Sequence, residues 1–237
     1  METLLACAIG LCLQDPGGRL LEAVRETRLD EADQALADLA RGDGPRAARA
    51  VIGALPRARD RMAALLSATV AARVVFDDID STFQLTRRDE SAKQQALEAA
   101  AERIRRAAAR ALEGEQIYDS ILNAGPSFKP EAVAVLAAEL ERTGSWLFKC
   151  ELIQVLSSLG AREVLERAVE REKEPAVVAA ALEGMTSEKG LYWISHPQWQ
   201  VRLSALASLR KSREAVGPLV ESLGSPDVRW RLRACDV

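Results

Sequence analysis

Residues 196–209 read HPQWQVRLSALASL and residues 225–237 read SPDVRWRLRACDV. The two strings align without a gap, His196 on Ser225 and Leu203 on Leu232, with Pro197 and Pro226 29 residues apart. An earlier string, EPAVVAAALEGM from Glu174, carries the same opening proline at Pro175. Each unit has the same physics. A proline with fixed φ suits the first turn of a helix, and a run of Ala, Val and Leu continues it. A second helix, such as Ala215 to Leu223, then turns back. Neither helix buries its apolar stripe alone, so the units must stack. The step from Pro175 to Pro197 is only 22 residues. Its second helix must therefore be abbreviated, and Glu188 to Ile194 is the segment expected to form it.

Helix signals extend over the rest of the chain. Aromatics are scarce, while Ala, Leu, Glu and Arg dominate, residues that lose little rotamer freedom in a helix. Val and Ile never alternate with polar residues over a strand's length, and no Asn-Gly or Asp-Gly hairpin signal separates two alternating runs. The fold class is all-α. Helices are expected at Arg19–Thr27 and Leu29–Arg41, before the break Gly42-Asp43-Gly44-Pro45, and at Arg46–Leu55, ended near Pro56.

A heptad-type stripe follows: Met62, Leu65, Thr69, Ala72, Phe76, Ile79 and Phe83, in alternating steps of three and four. After the polar turn 86–90 a second stripe runs through Leu97, Ala101, Ile104, Ala108 and Ala111. The two are expected to pack as a long antiparallel helical hairpin over residues 57–114. Shorter helices are expected from Glu115: Ile117–Ala124, Pro130–Thr143, and the pair Trp146–Leu159 and Arg162–Lys173. The domain plan is thus N-terminal helices over 15–56, the hairpin over 57–114, and a stacked-repeat region over 115–237 whose last repeat is incomplete. That final apolar helix lacks its second half. Either the chain is a fragment or a partner covers the face.

Residues 3–13, TLLACAIGLCL, are an uncharged run too short to span a bilayer. Their length suits a signal-peptide core, making residues 1–14 a candidate signal peptide and an exported, periplasmic location the favoured one over the cytoplasm. Glu2 in place of a basic residue, and the lack of a small-x-small site near Gln14, favour a first amphipathic helix instead. Leu4-Leu5-Ala6-Cys7 resembles a lipoprotein box but sits too near the start.

The chemistry-bearing residues are few. The net charge of −3 argues against a nucleic-acid partner, because phosphate neutralisation supplies most of such affinity. Cys7, Cys12, Cys150 and Cys235 form no C-x-x-C pair, so no zinc site is expected; Cys150 and Cys235 read as small hydrophobes in helices. His196, the only histidine, has no Ser or Cys motif beside it and reads as a turn residue capping its helix. Asp77, Asp78 and Asp80 read as a solvated face, since a helix offers a cation too few oxygens. No catalytic residue, cofactor or metal site is expected. The candidate binding surface is Trp199, Arg202, Arg229, Trp230 and Arg231, within a basic tail that also holds Arg210, Lys211, Arg213 and Arg233. Trp199 also reads as core, because Leu203 and Leu206 continue its stripe. Trp146, Trp193 and Trp230 read as packing between units, or as anchors where exposed.

The string P-x-W-x-V-R-L-x-A-L from Pro197, followed by AVGPLVESLGSPDVR, resembles HEAT repeats of the phycobilisome-lyase-like type. The resemblance covers Ser145 to Val237, is weak over residues 15–56 and is absent over the long hairpin. It implies a right-handed α-solenoid used mostly as a protein-binding scaffold. It also implies that Arg202, at the family's Val-Arg position, bridges adjacent units. In the last unit Arg229 and Arg231 flank Trp230, and either can take that role. A protein partner is the expected ligand of a non-enzymatic adaptor. Two alternatives come by analogy: tetrapyrrole handling as in lyases of the group, and nucleic-acid binding through the basic, Trp-bearing tail, as in HEAT-like DNA glycosylases.

Overall fold

The computed structural model describes residues 15–86, 89–185, 188–209 and 216–236. The candidate signal peptide with Cys7 and Cys12, the basic residues Arg210, Lys211 and Arg213, and the terminal Val237 lie outside the described residues. Eleven α-helices and no strand occur among the described residues: α1 Pro16–Glu26, α2 Leu29–Arg41, α3 Gly44–Thr86, α4 Glu90–Leu122, α5 Ala132–Arg142, α6 Trp146–Ser158, α7 Arg162–Arg171, α8 Pro175–Glu183, α9 Trp199–Ser208, α10 Val216–Leu223 and α11 Val228–Asp236. Short 3-10 segments occupy Gly125–Ser127 and Glu188–Trp193. The second of these is the abbreviated element that the 22-residue step requires. The chain divides into two compact units, one of residues up to Arg41 with Gly53–Ile121, the other of Gly42–Ile52 with Leu122 onward.

In the first unit α1 packs on α2 through Leu20, Ala23, Val24, Ala32, Ala35, Leu36 and Leu39, all buried. Arg19 on α1 pairs with Asp38 on α2. Thr27 ends α1 with φ at 61°, left-handed backbone that a β-branched residue adopts only under strain. Its hydroxyl explains its presence there: Arg61 Nε of α3 donates to Thr27 Oγ1 at 2.9 Å.

The stripe expected on α3 is the helix's least exposed face. Leu65 is buried and Met62, Thr69, Ala72, Phe76, Ile79 and Phe83 are half-buried, while nearly every other residue from Ala63 to Thr86 is exposed. On α4 the stripe is shifted at one step. Ala108 is exposed; Ala100, Ala107, Ala111 and Gly114 hold the inner positions with Leu97 and Ile104. Position 114 fixes that register, because a Cβ there would lie 2.7 Å from Leu65 Cδ1.

Two expected breaks do not occur. α3 runs straight through Pro56, where a helix end was expected. An interior proline costs about 3 kcal/mol, but Val51, Ala54, Leu55 and Ala58 around it are buried, and each large apolar side chain buried returns about 1.5–3 kcal/mol. Arg57 Nη1 also donates to the Gly53 carbonyl at 3.1 Å. The new start expected at Glu115 falls inside α4, which continues to Leu122. A glycine in a helix costs only about 1 kcal/mol, and the contact with Leu65 demands that residue.

The second unit is built from short helices. Within it α6 lies against α8, α8 against α9, and α9 against α11. Leu152, Ile153, Leu156, Val177, Leu182, Val201, Leu206 and Leu209 form the core of this series. α6 starts on Ser145, whose Oγ accepts from Phe148 N–H at 3.3 Å. It ends at Gly160, where φ of 69° and the bond from Ala161 N–H to the Leu156 carbonyl close a left-handed cap. Pro175 opens α8 as expected. Pro197 and Pro226, in contrast, stand two residues before α9 and α11, where the turn carbonyls are held by side chains described below. Glycine recurs where segments of this second unit approach closely. A Cβ on Gly125 would lie 1.9 Å from Ser158 Oγ, and one on Gly190 2.1 Å from Ser208 Oγ.

Candidate functional site

Equivalent arginines, five residues after each turn proline, hold the starts of α9 and α11. Arg202 Nη1 donates to the carbonyls of His196 and Pro197 at 2.9 and 3.0 Å. Arg231 Nη1 donates to those of Ser225 and Pro226 at 2.7 and 3.1 Å. These contacts lie within each arginine's own turn, which is not the bridging of adjacent units expected of Arg202 and of Arg229 or Arg231. Arg231 repeats the turn-holding contact of Arg202, and Arg229 does something else.

Arg229 stands over the ring of Trp199, its guanidinium carbon 4.6 Å from the centroid. Arg202 stands 5.8 Å from the centroid of Trp230. The two pairs cross between α9 and α11 in opposite senses, so each helix supplies one cation and one ring. Such pairs contribute about 0.5–1 kcal/mol each at exposed sites. Asp227 fixes the outer cation. It accepts from Arg229 Nη2 at 2.7 Å and Nε at 3.0 Å, and from the Arg229 backbone N–H at 3.0 Å. Those bonds with Arg229 hold the Asp227 carboxyl at about 2, well below the usual carboxylate range. Arg202 and Trp230 also line a hollow of about 280 Å³ with Ser195, Pro218 and Ser225.

All five expected surface residues thus lie along one stretch of the second unit, four of them paired as cation and ring. The core reading of Trp199 is corrected: it is 40 % exposed, because α9 turns Val201, Ala205 and Leu206 inward instead. Trp146 is 52 % exposed, and Trp193 and Trp230 are half-buried. Cys235 is exposed rather than packed, while Cys150 is half-buried with its thiol pushed up to about 11 by burial and by the Glu151 and Glu174 charges. His196 accepts from the Gln198 N–H at Nδ1, 3.1 Å away, consistent with its reading as a turn residue. On α3, Asp77 pairs with Arg73 at 3.0 Å and Asp80 accepts from Gln84 at 2.7 Å. No group of metal-ligating side chains assembles among the described residues.

The sequence reading missed Asp227, whose signal was its place two residues before Arg229, and Tyr192, which is 86 % exposed. A second exposed apolar set lies on α3, where Leu66, Val70 and Val74 follow one another at one-turn spacing. No described helix is long and apolar enough to cross a membrane. No family model, curated protein or solved structure matches the chain.

Proposed function

We propose that this chain is a non-enzymatic scaffold that binds a protein partner, with α6–α11 arranged as a HEAT-like solenoid and α3 and α4 as a long antiparallel hairpin. The observation that carries the reading is Trp199, a large ring left exposed and held from one side by Arg229. Rigid aromatic and arginine side chains on a surface are the residues from which interface hot spots are made. The guanidinium donors of Arg202, Arg229 and Arg231 are engaged by turn carbonyls, rings and Asp227. That arrangement presents shaped, partly neutralised apolar surface and favours a protein over a phosphate backbone.

The test is cross-linked capture from source cells with the intact chain and with a Trp199→Ala/Trp230→Ala variant of unchanged circular dichroism. One recurrent protein, lost with the variant and cross-linked near α9 and α11, supports the reading. Equal recovery by both forms, or cross-links confined to Leu66–Val74 of α3, moves the interface to the hairpin. A salt-dependent mobility shift with nucleic acid, in place of any protein, overturns the reading.

A further inference from the structure

The first residues of α6 and α9 are both tryptophan, Trp146 and Trp199, and both are exposed. Contacts within the second unit bring these two helix starts to one edge. Lys149, in the first turn of α6, pairs at 2.6 Å with Glu172, shortly before the start of α8. At the other end Ser157 of α6 donates to the carbonyl of Gly184, just past α8, at 2.7 Å. α6 and α8 therefore run side by side in one direction. The starts of α9 and α11 are joined by the two cation–ring pairs. Arg233, in the second half of α11, pairs with Glu183 at the end of α8. The segment after α8 meets the end of α9 as well, where Gly190 lies against Ala205 and Ser208. The starts of α6, α8 and α9 thus share one edge, with Pro175 opening α8 between the two tryptophans.

Packed helices stand about 8–10 Å apart. With α8 between them, the helix starts that carry Trp146 and Trp199 are roughly 16–20 Å apart. A ligand that meets both rings must be extended. Lys149 is engaged by Glu172, Arg202 by turn carbonyls and Arg229 by Asp227, so these cations do not call for a charged ligand. Exposed rings beside satisfied charges favour a neutral, apolar chain. A polyproline II chain advances about 9 Å in each three-residue turn, one turn for each helix of this edge. Six residues of it cover about 19 Å, the separation of the two tryptophan-bearing starts. Its conformation is preformed, and aromatic side chains are the surfaces on which such segments dock.

We infer that this edge receives a proline-rich segment of the partner protein, lying as a polyproline II helix across the starts of α6, α8 and α9. Prolines six residues apart stack on Trp146 and Trp199. The inference rests on the protein-binding reading above and adds Trp146, which that reading does not use.

The test follows the indole N–H signals of Trp146 and Trp199 by NMR in the full chain, with acetyl-decaproline-amide as probe. Acetyl-triproline-amide, which is one turn long, and a Gly-Ser decapeptide serve as controls. Both indoles are expected to shift together, saturating with a Kd of about 1 mM or below. Binding should be at least tenfold weaker for either control. A Trp146→Ala variant with unchanged melting is expected to lose binding by a similar factor, and Trp146→Phe, which keeps a ring, to retain it. A shift of only one indole, triproline or the Gly-Ser peptide binding as tightly as decaproline, unchanged binding by Trp146→Ala, or no shift up to about 10 mM overturns the assignment. Partner capture separates the two readings. If Trp146→Ala leaves capture intact while Trp199→Ala/Trp230→Ala abolishes it, the scaffold stands and the proline-rich segment falls.

Discussion

Arg229 holds its guanidinium 4.6 Å above the Trp199 ring, joining the start of α11 to the start of α9. The contact leaves the ring partly in solvent while limiting its rotation. Because Asp227 grips the same guanidinium, carboxylate, cation and ring form one connected set.

A double-mutant cycle of Trp199→Ala and Arg229→Ala, read by urea unfolding, is expected to give a coupling of about 0.5–1 kcal/mol. Additive single effects would mean that the pair meets without mutual stabilisation.

The same set has a pH signature. The Asp227 carboxyl lies lower in the folded chain, at about 2, than its reference value of 3.8. Its contribution is therefore present above the reference value and is lost as pH falls through about 2. Carboxyl-carbon NMR should place the Asp227 midpoint near that value. Arg229→Ala should return it toward 3.8, and a midpoint unmoved by that change would contradict the assigned cause.

Thiol labelling should separate the two described cysteines. With its thiol raised to about 11, Cys150 presents at pH 8 a thiolate fraction of roughly one in a thousand. Iodoacetamide followed by peptide mass spectrometry should modify exposed Cys235 well before Cys150. Comparable rates at both would show that burial does not protect Cys150.

Two glycine substitutions should act in opposite directions. Gly190→Ala forces a methyl to within 2.1 Å of Ser208 Oγ and 2.7 Å of the Ala205 carbonyl, and should destabilise by about 1–3 kcal/mol. Gly18→Ala meets nothing within 4 Å in the first turn of α1, and should stabilise by about 0.4–1 kcal/mol. Denaturation midpoints of both variants measure the contrast.

Local periodicity was readable wherever the helix itself sets it. The α3 stripe from Met62 to Phe83 needs only the 3.5-residue repeat, and its seven positions are the less exposed ones. The 29-residue register between Pro197 and Pro226 likewise placed Arg202 and Arg231 in equivalent positions, and the carbonyl contacts of the two agree. Helix ends were less readable. Pro56 and Gly114 carry penalties of about 3 and 1 kcal/mol, and whether these stop a helix depends on burial that neighbouring segments provide.

By itself, then, the sequence determined the all-helical class and the stripe of α3, because these depend on residues within a few turns of one another. The tertiary structure alone decided that Trp199 stays exposed beneath Arg229, that Gly114 and not a side chain meets Leu65, and that Trp146 and Trp199 stand exposed at helix starts on one edge. The physical reason is that burial, cation–ring contact and cavity shape are properties of surfaces brought together across tens of residues. A helical repeat specifies which face of a helix is apolar, but its neighbours determine what that face meets.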